Sequence, residues 1–323
     1  MVPNQWYVVL ESRTVGKRPV GVTRMGQRMV FWRDADGQAV AMRDRCPHKG
    51  VALSPGAVVD GQLACPYHGF RFDAGGVCRR MPVQEEVRPA CGVETWPTWE
   101  GDGLIWLWWG DPEARTDAPP CFPDLQGRPS WSWASGTLEY PIHYSRLIET
   151  NFDFYHAAFL HRSVNPGGIF GSRVVDLEAE VSPEGGVLAR GVLVREGGKG
   201  PLPFSTHFLP GNLQRLEFAG QIGMSAAIPI DEARTLSCFR LYSTLPVPGL
   251  AGLHAWLMVQ GELKVVQPQD IAIMATMTER SCQPGASVWV AADLGAARYV
   301  QWRERQLRRT PAHATPSVSQ PRA

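Results

Sequence analysis

The chain has 323 residues, of which 44% are hydrophobic and 20% charged, with seven cysteines and a formal net charge of +1. Such a balanced charge provides no broad field for nucleic acid or an anionic membrane, and the cysteines are too few for a disulfide framework. No apolar run follows a basic start near the N-terminus, and no later run approaches the ~18 apolar residues of a membrane span. We therefore expect a cytoplasmic, two-domain globular protein with no membrane span and no nucleic-acid partner.

Residues 6–110 alternate short strand-like runs with turn signals such as DADG at 34–37 and GDG at 101–103. This alternation is typical of small all-β domains, and we assign residues 1–112 to one. The next stretch is rich in proline and shows little apolar periodicity. It predicts an interdomain linker over residues 113–130.

Two short motifs in the first domain supply candidate metal ligands. Cys46 and His48 form a C-x-H pair, and Cys65 and His68 form a C-x-x-H pair after sixteen further residues. Zinc accepts such ligands, but a zinc finger of two cysteines and two histidines takes both sulfurs from one loop and both nitrogens from the other. Here each loop supplies one of each. That arrangement suits a [2Fe-2S] cluster with two cysteines on one iron and two histidines on the other.

These loops resemble the Rieske iron–sulfur family, and the flanking prolines and glycines fit its loop pattern (Pro47, Gly50, Pro66, Gly69). High-potential Rieske proteins of respiratory chains typically carry a further cysteine in each loop, where this chain has Val51 and Tyr67. The resemblance is thus to the ferredoxin and oxygenase branch. It implies a potential in the lower part of a range of about −150 to +300 mV, and electrons from a soluble reductase.

Residues 131–310 form the second predicted domain. Trp131–Ile142 alternates like a strand, and the next segment, 144–161, contains no proline or glycine. This predicts one helix over 144–161, with Glu149, Asp153 and His156 on one face.

The rest of this domain is predicted as a sheet followed by two helices. Arg173–Val266 is strand-like with hairpin signals, which indicates several antiparallel strands. Helices are predicted over Gln269–Arg280 and Leu294–Arg309, with Asp293 as the N-cap of the second. The final residues, 311–323, are predicted to be a disordered tail.

A mononuclear iron that activates O2 is held by two imidazoles and one carboxylate, with open positions for O2 and substrate. His156 and His161 are the candidate imidazoles, but five residues of unbroken helix would turn them about 140° apart. They reach one metal only if the helix ends or distorts between them. Asp270 is the candidate carboxylate.

Asp270 is chosen because it shares a helical stripe with three apolar residues (Ile273, Met274, Met277). An unpaired acid on a buried face is costly, and a metal would compensate its charge. The alternative for Asp270 is an N-terminal acid that faces the helix macrodipole. Three other downstream aspartates have routine structural uses at a strand, a turn and a helix start (Asp176, Asp231, Asp293), and Glu262 is the next candidate.

The D-x-x-H-x-x-x-x-H segment, the late acid, the cluster loops and the domain order together resemble the α-subunit of a Rieske non-haem iron oxygenase. By length and layout the chain is similar to compact members, such as vanillate O-demethylase-like, chlorophyllide-oxygenase-like and natural-product hydroxylases. The resemblance implies an α+β fold in which an N-terminal all-β Rieske domain precedes a helix-grip (START-like) catalytic domain.

The resemblance also implies a head-to-tail homotrimer in which the cluster of one subunit feeds the mononuclear iron of the next. Asp153 would then bridge the two centres by meeting His48 or His68 of the neighbouring subunit. The family usually has Asn three residues before this Asp, where this chain has Thr150, so Asn151 is given no role.

We therefore expect an oxygenase that uses a [2Fe-2S] cluster, mononuclear Fe(II) and O2 to hydroxylate or oxidatively demethylate a mainly apolar organic substrate. The chain lacks nicotinamide and flavin motifs, so NAD(P)H is expected to act through a separate ferredoxin and/or flavin reductase. One alternative is an oxidative cyclase or desaturase of a biosynthetic pathway. Another is a non-catalytic Rieske electron carrier or ligand-binding protein.

Overall fold

The structure, a computed structural model, describes residues 1–88, 90–125, 132–161, 172–194 and 200–309. It divides the chain into two compact units that meet in sequence at Pro119 and Pro120, the second ending at Arg309. The predicted linker lies partly outside the described residues, and the predicted tail lies wholly outside them. No helix among the described residues is long and apolar enough to cross a lipid bilayer.

The described part of the first unit is all β, apart from two short 3-10 turns, Ser12–Thr14 and Pro112–Ala114. Three antiparallel sheets have the orders β1-β11-β10, β2-β3-β4-β9 and β5-β6-β7-β8. The strands are β1 Gln5–Glu11, β2 Val20–Arg24, β3 Gln27–Arg33, β4 Ala39–Arg43, β5 Ala57–Val59, β6 Gln62–Ala64, β7 Arg71–Phe72, β8 Cys78–Arg80, β9 Thr95–Trp96, β10 Thr98–Gly101 and β11 Leu104–Trp109.

The small β5–β8 sheet carries the predicted cluster motifs on its connections. Cys46 and His48 follow β4, and Cys65 and His68 lie in the turn between β6 and β7. Both cysteines belong to an apolar core with buried side chains from neighbouring strands, including Trp32. The loops are therefore attached to a packed framework on their cysteine side.

The second unit is built on a seven-stranded antiparallel sheet of order β12-β18-β17-β16-β15-β14-β13. Its strands are β12 Ser132–Tyr140, β13 Arg173–Val181, β14 Val187–Val194, β15 Leu202–Leu209, β16 Leu213–Phe218, β17 Gln221–Pro229 and β18 Thr235–Ser243. Its helices are α1 Tyr144–Thr150, α2 Ala157–Leu160, α3 Pro248–Gly261, α4 Gln267–Met274 and α5 Leu294–Arg309, with 3-10 turns at Pro123–Leu125 and Ala291–Asp293.

Helix α5 covers one end of this sheet through an aromatic cluster. Tyr299 and Trp302 pack edge-on against Phe208 of β15, with ring centroids 5.0 and 4.8 Å away. These buried rings explain why α5 matches its predicted bounds, because the apolar face and the strand beneath it favour the same helix. The prediction that Asp293 is the N-cap of α5 is wrong: Asp293 ends the 3-10 turn before α5, and its carboxylate accepts the N–H of Val290, the N-cap of that turn, at 2.8 Å.

The prediction of one helix over 144–161 is wrong. Helix α1 ends at Thr150, and α2 begins only at Ala157. The Asp153 Oδ1 atom accepts the backbone N–H groups of Tyr155 and His156 at 2.9 and 3.1 Å. A short acidic side chain that captures these donors competes with the helical i→i−4 bonds and breaks the helix.

The prediction that the sheet continues to Val266 is also wrong, because the chain is helical from Pro248 onward. Helix α3 packs on β12 and β18. Its buried residues recur every four positions, at Ala251, Ala255 and Val259. Apolar residues on its other faces obscured this period in the sequence (Leu250, Leu253, Trp256, Leu257).

Candidate metal centres

The two cluster loops have the same backbone hydrogen bonds. In the first, Cys46 N–H donates to Val51 O at 2.8 Å and Gly50 N–H donates to Cys46 O at 2.9 Å. In the second, Cys65 N–H donates to Phe70 O at 2.8 Å and Gly69 N–H donates to Cys65 O at 3.0 Å. Both glycines have positive φ, 76° and 71°, which side chains rarely adopt, so the loop pattern requires glycine at these turns.

The four predicted cluster ligands pair by type. The buried Cys46 and Cys65 thiols contact each other, and burial raises the pKa of the Cys46 thiol to about 11. The His48 and His68 rings lie with centroids 4.6 Å apart on the solvent side. A thiolate in that core requires a compensating cation, and separate sulfur and nitrogen pairs fit the two irons of a [2Fe-2S] cluster.

The first loop is further held by Asp44, which the sequence analysis did not single out. Its Oδ1 atom accepts the backbone N–H groups of Leu53 and Ser54, each at 2.7 Å. Its Oδ2 atom accepts the Ser54 hydroxyl at 2.8 Å and the Arg28 guanidinium at 3.0 Å. An acid two residues before a ligand cysteine, followed by an S-x-G turn, is the sequence signal that was available.

In the second unit, His156, His161 and Asp270 come together as predicted. One potential ligand atom from each lies within 4.8 Å of the others. The competing aspartates have structural positions: Asp176 at a β-bulge in β13 and Asp231 in an ion pair with Arg234. Glu262 does not belong to the group of three.

The geometry of this group fits a metal better than an ion pair. His161 Nε2 and His156 Nε2 lie 3.2 and 3.6 Å from the same oxygen, Asp270 Oδ1. That buried oxygen has no hydrogen bond of acceptable geometry from the described residues. Two imidazole nitrogens and one carboxylate oxygen that converge without bonding each other form the donor set of a non-haem ferrous site.

The histidines converge because α2 is a single turn. His156 immediately precedes it and His161 immediately follows it. His161 leaves helical geometry (φ −98°, ψ 20°), which meets the condition that the helix must end or distort between the two residues. Its Nδ1 atom lies 2.9 Å from Gln269 Oε1, beside Asp270 on α4, so the ring is fixed from its far side.

Asp153 lies beside His156, with Oδ2 3.6 Å from His156 Nδ1. Burial opposes charge on His156, but Asp153 and then Asp270 outweigh it and raise the pKa of the imidazole. Asn151 connects the same turn to the sheet, because its Nδ2 donates a hydrogen bond to Gln214 Oε1 of β16 at 2.8 Å. Glu149, predicted on the same helical face as Asp153, instead forms a buried ion pair with Arg146 at 2.7 Å.

The position of Asp270 depends on a wide helical turn that the sequence analysis missed. Between α3 and α4, Glu262–Val266 form a π-helical turn in which Gln267 N–H donates to Glu262 O. Pro268 follows and cannot donate a backbone hydrogen bond. A π turn before a proline changes the direction in which the following side chains point, and π turns are frequent at functional sites. Of the predicted apolar stripe around Asp270, Met274 is buried but Ile273 is 48% exposed.

Two cavities reach this group from different sides. The inner cavity, about 300 Å³, lies between the sheet and the helices and is lined largely by apolar side chains (Leu147, Phe154, Leu216, Phe218, Met224, Phe239, Leu241, Val266, Met274). The outer cavity, about 580 Å³, is lined by Asp153, His156 and Asp270 and by exposed residues such as Phe159 and Trp289. The group of three can therefore be reached from two sides, through the apolar inner cavity and through the more exposed outer cavity.

Comparisons with known proteins agree with this architecture. A model of the Rieske [2Fe-2S] domain matches residues 5–97. The oxygenase component of dicamba O-demethylase from Stenotrophomonas maltophilia is 38% identical over 165 residues, which cover 50% of this chain and 48% of that protein. A vanillate O-demethylase oxygenase subunit from Pseudomonas sp. is 33% identical over 209 residues, covering 64% and 57%. The matched stretch thus spans about half the length of these relatives.

The crystal structure of dicamba monooxygenase bound to dicamba superposes with a TM-score of 0.77 at 23% identity, covering 95% of this chain and 98% of that one. At this identity the likeness shows the fold. The fold is α+β, with an N-terminal β domain of Rieske type and a C-terminal domain like that of Rieske oxygenase α-subunits. The chain therefore combines a Rieske [2Fe-2S] domain and relatives named as oxygenase components with the fold of dicamba monooxygenase.

Proposed function

We propose that this chain is the oxygenase component of a multi-component system that hydroxylates or oxidatively demethylates a mainly apolar organic substrate with O2. The observation that supports this most is the convergence of His156, His161 and Asp270 on the wall of an apolar cavity, in a chain with a Rieske domain. Relatives named as O-demethylases, such as those of dicamba and vanillate, support the same reaction class.

In this proposal Cys46, His48, Cys65 and His68 hold the [2Fe-2S] cluster, and the group of three holds a ferrous ion. The ferrous ion supplies the O2 chemistry, which explains the need for open coordination positions. The protein contributes the rest. The apolar wall excludes water and orients the substrate. Gln269 bonds the His161 ring on the side away from the metal position, and Asp153 lies beside the His156 ring.

Electrons are proposed to come from NAD(P)H through a separate ferredoxin and/or flavin reductase. The exposed edge at His48 and His68 suits docking of such a carrier. We further propose a head-to-tail homotrimer in which a neighbouring cluster approaches the outer cavity, where Asp153 is placed to bridge the centres. A cytoplasmic location fits a soluble reductase.

The non-catalytic carrier is not favoured, because a carrier has no need for two histidines and an acid that converge beside a substrate-sized cavity. Iron analysis after anaerobic reconstitution tests the difference. The oxygenase should bind about three iron per chain, and a carrier about two.

The companion measurement is O2 uptake with a reductase, NADH and a panel of methoxy-aromatic compounds. We expect uptake that depends on a panel member and yields a hydroxylated or demethylated product. Two iron per chain, or no product with a fully loaded protein across the panel, would contradict the proposed function.

A further inference from the structure

The charges around the inner cavity point to the class of substrate, given the function proposed above. Among the described lining residues there is no lysine or arginine. The acids on the wall are Asp153, Glu262 and Asp270. Asp153 lies beside His156, and Asp270 belongs to the group of three candidate ligands. Among the described residues, Glu262 is therefore the wall acid without a cationic partner.

Glu262 is held in one orientation by a chain of side-chain hydrogen bonds. Tyr140 donates its hydroxyl to Gln267 Oε1, and Gln267 Nε2 donates to Glu262 Oε2 at 3.0 Å. This leaves Glu262 Oε1 without a hydrogen-bond donor among the described residues, on a side chain that lines the cavity. The π turn that begins at Glu262 fixes the backbone beneath it.

The local environment already disfavours negative charge. Burial raises the pKa of Glu262, the hydrogen bond from Gln267 lowers it, and the neighbouring Asp270 raises it again, so that the net direction is upward. An organic anion placed in the same cavity would meet the same desolvation and the same carboxylates. The proposed ferrous ion balances two of the three carboxylates on the wall, so an organic anion would meet one net negative charge and its burial would be costly.

We propose that the inner cavity selects an uncharged organic substrate and rejects organic carboxylates and sulfonates, with Glu262 as the specificity-determining residue. The free oxygen of Glu262 accepts a hydrogen bond from a hydroxyl or N–H group of that substrate. Aromatic and aliphatic walls, such as Phe218 and Leu241, contact its apolar body.

The test compares methyl vanillate and vanillate, which share the same phenol and methoxy groups and differ in charge and in the methyl group of the ester; that methyl contributes equally in wild type and variant, so it cancels when their binding ratios are compared. Their dissociation constants are measured by equilibrium dialysis at neutral pH, with anaerobic, iron-loaded protein and no reductase. We expect the ester to bind at least about tenfold tighter than the carboxylate. In Glu262→Gln the ratio should fall by roughly threefold or more, because the carboxylate binds better once one negative charge is removed.

Glu279→Gln is the matched control, since this exposed glutamate lies in the same unit, outside the cavity. Its ratio should equal that of the wild type. Equal binding of the two probes by the wild type, or an unchanged ratio in Glu262→Gln, would overturn the inference. These binding results do not depend on turnover. Reductase-dependent turnover without preference for the ester would leave the proposed function intact and remove only the selectivity.

Discussion

The two candidate metal-binding regions of this chain are assembled in different ways. The cluster loops are local: each places a cysteine and a histidine within four residues, and each closes with the same hydrogen bonds and a positive-φ glycine. The mononuclear group joins His156 and His161 to Asp270, which is more than one hundred residues later in the chain. The first region depends on loop conformation, and the second depends on the packing of a whole unit.

Because of this difference, substitutions should affect the two sites in different ways. A change within a cluster loop removes a ligand or opens a turn, and its effect should stay within the first unit, which has its own core. In the second unit a broken helix, a π turn and a sheet jointly set the ligand positions. Changes some distance from His156 can therefore alter its geometry.

The largest expected effect comes from removing a cluster ligand. His68→Ala should abolish the visible spectrum of the cluster and all reductase-driven turnover, because one iron loses one of its two protein ligands. The far-UV circular dichroism of the chain should be largely unchanged, and iron binding at the mononuclear site should persist. His254→Ala, a histidine outside both groups that bonds Ser243, is the control. An unchanged visible spectrum in His68→Ala would remove the cluster assignment.

Removing the distant carboxylate should act on the other centre alone. Asp270→Ala should lose about one of three iron per chain and all turnover, since it deletes one of three protein ligands. The cluster spectrum should remain. Iron analysis and visible absorption on the same sample measure both, and Asp270→Asn tests whether the lost charge or the lost volume matters. Full activity in either variant would move the carboxylate role to another residue.

The contrast between local and long-range assembly also explains which parts of the structure could be predicted from the sequence. The cluster ligands, the β-rich first unit and helix α5 follow from short-range patterns, in which spacing and turn residues carry the information. The pairing of His156 and His161 with Asp270 was expected from a family resemblance and from the cost of a buried acid. The sequence alone could not show that Asp153 breaks the helix, because the same residues satisfy a helical period.

Helix α3 and the π turn were missed for a related reason. Their apolar residues face both the sheet and the outside, so no single period dominates in 248–266. The decisive signal, a buried residue at every fourth position from Ala251 to Val259, has meaning only once β12 and β18 are known to lie beneath it. Glu262 faces the cavity because of the π turn, and the position of that turn depends on tertiary packing.

Asp153→Asn should separate electron delivery from metal binding. Asparagine keeps an oxygen that can accept the Tyr155 and His156 N–H groups, so the turn should survive. Iron binding should weaken by no more than the 10–100-fold typical of residues that support a ligand, while electron transfer from the cluster should collapse with the lost charge. The measurement is single-turnover reoxidation of the reduced cluster with O2 and substrate.

Asp153→Ala serves as the comparison variant, because it loses both the charge and the turn and should lose more iron than Asp153→Asn. Cluster reoxidation at the wild-type rate, coupled to product, in Asp153→Asn would show that the carboxylate only stabilises the turn. It would also argue against the head-to-tail trimer.

The smallest expected effect is on the frame of the first unit, away from any ligand. Arg33 of β3 donates two hydrogen bonds to Glu100 of β10, at 2.5 and 2.9 Å, with both side chains about one quarter exposed. The hydrogen bonds from Arg33 lower the pKa of Glu100, burial opposes this, and the nearby Ser12 side chain lowers it further. A lowered carboxyl pKa stabilises the fold above the unfolded-state value near 4.5, and this contribution is lost as pH falls below it.

Glu100→Gln should therefore lower the free energy of unfolding of the first unit by about 1 kcal/mol at pH 7, since the pair is partly screened by solvent. The difference from wild type should shrink as pH falls towards 4 and below, because the wild-type carboxylate is then protonated as well. Thermal loss of cluster absorption, followed in the full chain at several pH values, measures it. Glu113→Gln, an exposed glutamate of the same unit, should match the wild type throughout. A Glu100→Gln deficit that is equal at pH 4 and pH 7 would show that packing, and not the ionised pair, holds β3 and β10 together. The first unit would then depend on long-range packing as much as the second.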